Sequence, residues 1–534
     1  MLGLIPSEKA RKSGGPRLRV WLITVGLLTL AVVAGAAWLV MHIEPIMRDR
    51  IVRTLANRFE GDLELGTVHI TGFPRITVSG ENLVLRHKGR TDVPPLIQVG
   101  KFSFTAGFLS LRAPVHVSIV QVSGLEIQVP PRSERGERAT RSWNKNAAPQ
   151  IVADRITCED AKLTILPGKP GKVPLDFDIH HLSLHSVGPN RPMSFEATLT
   201  NPKPVGDIQT RGDLGPWQGD DPGQTPVSGG YSFTNADLST LHGIAGILSS
   251  NGKFRGVLER IEVSGQTDTP DFRVSVSGHP VPLHTDFSAI VDGTNGETYL
   301  QPVHARFLHS SLVAVGSVLK MPDGPGHDIR LDVTIDNARI EDLLRLAVKA
   351  DKPALSGAVR LKTKFHLPAG DAEVPDRLRL NATFNIAKAT LGDPDVQDKV
   401  DRLSLRSQGK PKEAAEASPH DVLSNLKGRF ILNQGVVSFS ALMFDIPGAS
   451  IELTGNYGLR GEDFDFHGKA RLQAKLSQMT TGFKSFLLKA VDPFFKKDGA
   501  GAVLPIKIAG TKDSPSFQLD VGHKAKKTEP VQRH

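Results

Sequence analysis

The chain has 534 residues, is 39% hydrophobic and only 6% aromatic, and carries a formal charge of +9. That charge sits at the ends: residues 1–19 hold +4 and residues 523–534 hold +3, leaving +2 for everything between. Basic tails of this kind set membrane topology or touch anionic lipid. With no recognition helix and no interleaved aromatic and basic residues, the composition argues against a nucleic-acid partner.

After the basic residues 1–19, 22 residues from Val20 to Met41 carry no charge. A helix rising about 1.5 Å per residue crosses the roughly 30 Å hydrocarbon layer with about 20 such residues. Ala34-Gly35-Ala36 offers a signal-peptide cleavage site as the alternative. The apolar run continues through Ala37, Trp38, Leu39, Val40 and Met41, however, and Trp21 and Trp38 stand where interfacial aromatics belong. Residues 20–43 are therefore expected to form a transmembrane helix. Lys9, Arg11, Lys12, Arg17 and Arg19 precede it, which keeps the N-terminus cytoplasmic and puts the bulk across the membrane, although Arg48, Arg50, Arg53 and Arg58 soften the asymmetry.

Region 44–130 opens with an amphipathic helix, Glu44 to Phe59, whose apolar stripe is Ile46, Ile51, Val52, Leu55 and Phe59. The runs LELGTVHI, RITVSGENLVL, IQVGKFSF and VHVSIVQVSGLEIQV follow as strands of an antiparallel meander. Residues 131–150 are charged, proline-bearing and aperiodic, hence a loop. Region 151–408 repeats the strand texture in DFDIHHLSL, SFEATLTN, RIEVSGQ, FRVSVSG, HTDFSAIVDG, LVAVGSVL, IRLDVTID and RLRLNATFNIAKATL. Helices are predicted at Ala236–Leu248, Ile340–Val348 and Pro394–Leu405. The spacing of the strands is irregular, which fits a continuous sheet better than a propeller or solenoid. A second loop covers 409–420.

Region 421–522 contains the clearest strand, FDFHGKARLQAKL. There Phe464, Phe466, Ala470, Leu472, Ala474 and Leu476 alternate with Asp465, His467, Lys469, Arg471, Gln473 and Lys475. It also holds an amphipathic helix, 476–495, with Met479, Phe483, Phe486, Phe494 and Phe495 set against lysines. The basic tail 523–534 ends the chain. Successive side chains of a strand point to opposite faces, so a body built this way has one apolar surface that must be covered. A second sheet covering it gives a sandwich; curling gives a trough whose lining holds acyl chains. The pattern leaves both open.

Chemistry is absent from the motifs. Cys158 is alone, which rules out an internal disulfide or a Cys-based zinc site, and it lies in strand-like RITCEDAKLTIL with no histidine beside it. In DIHHLSLH, His180 faces away from His181, and His181 and His185 stand about 13 Å apart on a strand, too far to share an ion. No nucleophile elbow, HExxH, phosphate loop or dinucleotide fingerprint is present. The chain is expected not to be an enzyme and to need no metal or cofactor.

Two stretches carry a resemblance. One is EPIMRDRIVRTLANRFEGDLELGTVHITGFPRITVSGENLVLR after the apolar span, with the Gly72–Pro74 turn; the other is GVVSFSALMFDIPGASIELTGNYGL, the alternating strand ending at Leu476 and LPIKIAGTKDSPSFQLD, in that order. In these, and across nearly its whole length, the chain resembles the AsmA family of bacterial envelope proteins, related to TamB and to eukaryotic bridge-like lipid transfer proteins. The resemblance implies a mainly β fold: a transmembrane helix, then an elongated, curled antiparallel sheet (a repeating β-groove) with a few short amphipathic helices. It further implies an inner-membrane anchor, a periplasmic body, phospholipid as cargo and other envelope or outer-membrane proteins as partners. The alternative is a non-enzymatic assembly scaffold for outer-membrane proteins with a closed β core. The lining residues nominated are Val274, Val276, Leu331, Val333, Ile335, Ile451, Leu453, Phe464, Phe466 and Leu472.

Overall fold

The computed structural model describes residues 61–520 except 72–74, 88–94, 96, 108–114, 130–150, 166–173, 189–190, 217, 219–220, 276–277, 294–295, 322–325, 417–421, 480–500 and 512–513. The expected transmembrane helix, the helix at 44–59, the loop at 131–150, Val276, Phe483, Phe486, Phe494 and Phe495 all lie outside the described residues. Among the described residues, no helix is long and apolar enough to cross a membrane. The chain divides into two compact units, 1–189 and 190–534.

The first unit holds β1 (Gly61–Leu65), β2 (Val68–Thr71), β3 (Arg75–His87), β4 (Ile97–Gly107), β5 (Val115–Val129), β6 (Ile151–Ile165) and β7 (Leu175–Val187). β1 and β2 both pair with β3, and the ladder continues through β4 and β5 in antiparallel fashion. β5 and β6 then run parallel, from Val115 opposite Ile151 to Val129 opposite Ile165, which corrects the all-antiparallel expectation. A parallel pair needs a long crossover, and residues 130–150 provide the length. Leu65, Val68, Ile76 and Val78 form the buried core here, with Phe102 and Phe104 against them.

The second unit is largely a meander, and every strand pairing described in it is antiparallel. Its first strands are β8 (Met193–Pro202), β9 (Val205–Leu214), β10 (Pro226–Asp237), the two-residue β11 (Ile244–Ala245), β12 (Ile247–Val257), β13 (Arg260–Val274), β14 (Val281–Val291) and β15 (Thr298–Phe307). β16 (Ser310–Lys320), β17 (His327–Arg339), β18 (Leu355–Leu367), β19 (Arg379–Leu391) and β20 (Ser424–Asn433) follow. β21 (Val436–Ile446), β22 (Ala449–Gly458), β23 (Asp463–Leu472), β24 (Ala502–Thr511) and β25 (Ser514–Leu519) complete it. Tight turns hold the register. Gln434 and Gly435 take φ of 50° and 73°, the backbone of a type I′ turn, and Pro447-Gly448 puts its positive φ of 86° on the glycine.

The helices are α1 (Ile340–Ala347), α2 (Val374–Arg377), α3 (Pro394–Ser407) and α4 (Pro411–Glu416). α1 and α3 match the predictions. α3 is started by Asp393, whose carboxylate accepts from the backbone N–H of Asp395 (2.9 Å) and Val396 (3.1 Å), with proline at the first helical position. α4 lies in the stretch expected to be a loop; it docks because Ala414 is fully buried and its carbonyl accepts from Arg402 Nη1 at 3.0 Å. The helix predicted at Ala236–Leu248 does not form. Gly243 (φ 95°) and Gly246 (φ 130°) break it, and cross-strand pairing takes the residues into the end of β10, a 3₁₀ turn at Leu238–Thr240, β11 and β12.

The sheet of the second unit is curled. Register shifts of the β-bulge type interrupt each ladder from β13/β14 to β21/β22, at Thr269/Phe272, Asp286/Ala289, Leu300/Val303, Ile335/Ala338 and Ile386/Ala389 among others. Each adds twist to the strand that carries it. The result is visible in contacts between distant strands. A Cβ on Gly243, between β10 and β12, would sit 3.5 Å from Val374 Cγ2, between β18 and β19. At about 4.8 Å per strand, β12 and β18 would stand about 29 Å apart in a flat sheet. His327, at the start of β17, likewise feels Lys203 from the β8–β9 turn: loss of hydration, then Lys320, then Lys203 hold its pKa below the ordinary value. Among the described residues β8 and β25 each pair on one side only within this unit, so the curl does not close.

Candidate functional site: an apolar sheet face with an aromatic row

Strand alternation sorts the second unit into two faces. The inner face of β17 carries Leu331, Val333 and Ile335; it continues through Leu361 and Phe365 on β18, Phe384 and Ile386 on β19, and Leu426 and Phe430 on β20. It then runs through Phe439, Leu442 and Phe444 on β21, Ile451 and Leu453 on β22, Phe464, Phe466 and Leu472 on β23, and Ile506 and Ile508 on β24. Eight of the ten nominated lining residues thus share one continuous face. Val274 stands at the end of β13, paired with Ile244 of β11 beside the 3₁₀ turn, and Val276 lies outside the described residues.

Burial is graded along this face. Ile335 (2% exposed), Val359, Ile386 and Ala389 form a core at one end of their strands, where Ile340 and Leu343 of α1 pack on them. Ile446, Ala449, Leu472 and Ala502 form another under Val400 and Leu403 of α3 and against Met479. α3 is pinned there by polar groups: Gln397 Nε2 and the Val422 N–H donate to Asp401 Oδ1 at 2.7 and 3.1 Å, and Ser404 Oγ donates to the Pro447 carbonyl at 2.7 Å. Away from these capped ends, Leu361, Phe384, Phe430, Phe439, Leu453, Phe464 and Phe466 are only half-buried. In a closed sandwich the inner faces of both sheets interdigitate and such residues are fully buried. The face is therefore lined but not filled.

Its middle carries a row of rings. Phe384, Phe430, Phe439 and Phe466 follow one another at centroid separations of 6.1, 5.7 and 5.7 Å, and Phe464 stands 6.3 Å from Phe466. The row crosses β22 without a ring of its own because Gly455 lies there, directly opposite both Phe439 and Phe466. A Cβ at Gly455 would fall 2.7 Å from Phe466 Cδ1, and one at Gly428 would fall 2.9 Å from Phe384 Cε1. The rings of Phe466 and Phe384 thus lie over the glycines opposite them. The same pairing recurs at Phe254 over Gly229 and Tyr231 over Gly252, and in the first unit at Phe102 over Gly80. Phe384, Phe430 and Phe439 were not nominated from sequence; the only signal was an alternating Phe with a glycine one hairpin away.

The outer face is polar and ion-paired. His467 sits between Asp520 (3.0 Å) and Asp465 (3.1 Å), with Lys507 3.2 Å from Asp465. Burial would raise the Asp465 carboxyl, but Lys507 and then His467 outweigh it and hold it below the usual carboxylate range. His181 and His185 face Glu159 and Arg155 across β6, and His185 shares a 3.1 Å hydrogen bond with Ser183. Among the described residues, no cluster of His, Cys, Asp or Glu could hold a metal ion. Cys158 is buried, and burial, then Asp160 and Glu159, push its thiol up, away from the nucleophilic thiolate.

No family model matches the chain. No curated protein and no solved structure matches it either.

Proposed function

We propose that this protein is an AsmA-like, inner-membrane-anchored envelope protein whose curled sheet binds phospholipid acyl chains along its inner face and supports lipid supply to the outer membrane. The observation that carries this reading is the row of half-buried rings from Phe384 to Phe464, two of which, Phe384 and Phe466, lie over glycines, on a face left open between capped strand ends. Such a lining keeps acyl methylenes out of water, each worth about 0.8 kcal/mol, and it is mainly apolar, with the hydroxyls of Thr363 and Tyr457 among its few polar groups. Passive binding, without catalysis, is what it supports. The uncharged span Val20–Met41 and the basic residues before it supply the anchor and the orientation.

The test is photo-crosslinking in cells with benzoylphenylalanine in place of Phe466 on the inner face or Lys469 on the outer face. The expected result is a phospholipid adduct at 466 and none at 469. Equal labelling, or none at either, would count against a lipid-binding groove. The Phe464→Asp, Phe466→Asp variant then separates the rival assembly role: loss of co-purifying lipid with strand content retained supports binding. Loss of the fold itself would favour rings that serve only as core.

A further inference from the structure

The outer face of β18–β20, behind the aromatic row, carries a second feature. Arg360, Lys362 and Lys364 project from β18, Arg379 from β19, and Lys427 and Arg429 from β20, all exposed. The register sets them in rows across three paired strands, Arg360–Asn385–Lys427 and Lys362–Thr383–Arg429, with Lys364 and Asn381 beside Ile431 in the next. Neighbouring cations stand about 6.7 Å apart along a strand and about 9.6 Å apart across two strand spacings. Lys427 reaches Asp445 at 4.0 Å. Arg360, Lys362, Lys364, Arg379 and Arg429 have no ion-pair partner among the described residues. The carboxylates bordering the patch include Asp332, opposite Lys364, Asp336, in the bulge opposite Arg360, Asp328, which pairs with His366 beside Arg379, and Asp445, opposite Asn425. Elsewhere on this face some charges are neutralised across strands, as in Arg471–Glu452 at 2.7 Å and the Asp465–Lys507 pair. Uncompensated like charge costs stability through self-repulsion and is relieved when an anionic surface meets it.

We propose that this face docks on a membrane surface bearing anionic phospholipid headgroups. Three observations favour that occupant over an acidic protein segment. The cations spread in two dimensions over a sheet face, matching a layer of phosphates rather than a single extended chain. β19 is paired on both sides, so its backbone offers no edge for strand addition. Ile431 (50% exposed) and Val436 (41% exposed) rise from the same face beside the cations, where a headgroup layer meets acyl chains. The inference is independent of the groove, since it concerns the opposite side of the same strands.

The test uses the full chain held in phosphatidylcholine nanodiscs, so that its apolar N-terminal segment is already satisfied. Flotation is measured with vesicles of phosphatidylcholine alone or of phosphatidylcholine and phosphatidylglycerol at 7:3. The expected result is salt-sensitive binding to the anionic vesicles only. The Lys362→Gln, Lys364→Gln, Arg429→Gln variant, whose side chains have no partners to lose, should bind on the order of 100-fold more weakly, at about 1 kcal/mol per cation near the surface. An Arg211→Gln, Lys253→Gln, Arg273→Gln variant, exposed elsewhere in the unit, should bind as the parent does. Equal binding to both vesicles would overturn the inference. So would undiminished binding of the first variant, which would place the attraction in the basic tails. Preferential capture of poly-glutamate over anionic vesicles at equal charge would overturn it in favour of an acidic protein partner.

Discussion

Replacing glycine by alanine inside a strand ordinarily stabilises, by about 0.5–1 kcal/mol of backbone entropy. At Gly455 the structure reverses the sign. The new Cβ would press on the Asp465 carbonyl oxygen and stand 2.7 Å from both Cα and Cδ1 of Phe466, well inside contact distance. Either β22 and β23 separate or the Phe466 ring lifts away from Phe439, 5.7 Å off, across the strand. Overpacking of this kind costs about 1–3 kcal/mol, and loss of an aromatic pair about 0.5–1.5 kcal/mol. After the entropic gain, Gly455→Ala should destabilise the β22–β23 region by about 1–3 kcal/mol.

A chain of this length need not unfold in one step, so the readout must be local. Amide hydrogen exchange of peptides spanning 449–458 and 463–472 should accelerate by about 5- to 150-fold at that cost. Gly230, on the outer face between Arg211 and Lys253, is the control. A Cβ there meets only the Gly252 carbonyl oxygen, at 3.5 Å. Gly230→Ala should slow exchange around it or leave it unchanged. If both substitutions slow exchange, Phe466 does not lie over Gly455, and the packing of this ring on β22 is wrong.

Other outcomes follow from the same geometry. Ile335→Ala, at 2% exposure in the core under α1, should cost about 2–5 kcal/mol, whereas Val315→Ala on the outer face should stay within about 0.5 kcal/mol; thermal shift or local exchange distinguishes them. Asp393→Ala removes both N-cap hydrogen bonds of α3 and should cost about 1 kcal/mol, read as faster exchange in 394–407. His327 has a pKa depressed from 6.5 by lost hydration, Lys320 and Lys203, so the fold disfavours its protonated form. The stability this contributes is present above pH 6.5 and declines as pH falls from there toward the folded pKa. Melting at pH 7.5 and 5.5 should show that loss, and Lys203→Gln should shrink it.

What could be read from the chain alone was whatever depends on local periodicity. Phe464 to Leu472 alternate so cleanly that strand and face were both evident, and Asp393-Pro394 announces the start of α3. Ala236–Leu248 misled because its leucines and isoleucines recur at helical spacing, while the decisive facts, Gly243 and Gly246 at positive φ and pairing with β13, are not local. The parallel β5–β6 pair had no signal beyond the length of the connection. Phe384, Phe430 and Phe439 each alternate within their own strand. Which ring meets which glycine, however, is set by register, and register is set by two-residue turns such as Gln434-Gly435 and Pro447-Gly448.

The open face follows from this architecture. In a single curled layer each inner side chain is buried mainly by its neighbours on adjacent strands, so stability accumulates strand by strand, as in repeat proteins, and no central core needs filling. The bulges supply curl, and α1 and α3 bury the strand ends where Ile335, Val359, Ile446 and Leu472 sit. Phe384 and Phe466 could have stood upright and met across the hollow; Gly428 and Gly455 opposite them let these rings lean over the sheet instead, which widens the hollow at the expense of burial. A lining left half-wet in this way gains contact from any apolar chain that enters. Occupancy and local stability are then linked: what fills the groove should also tighten the β19–β23 ladder beneath it.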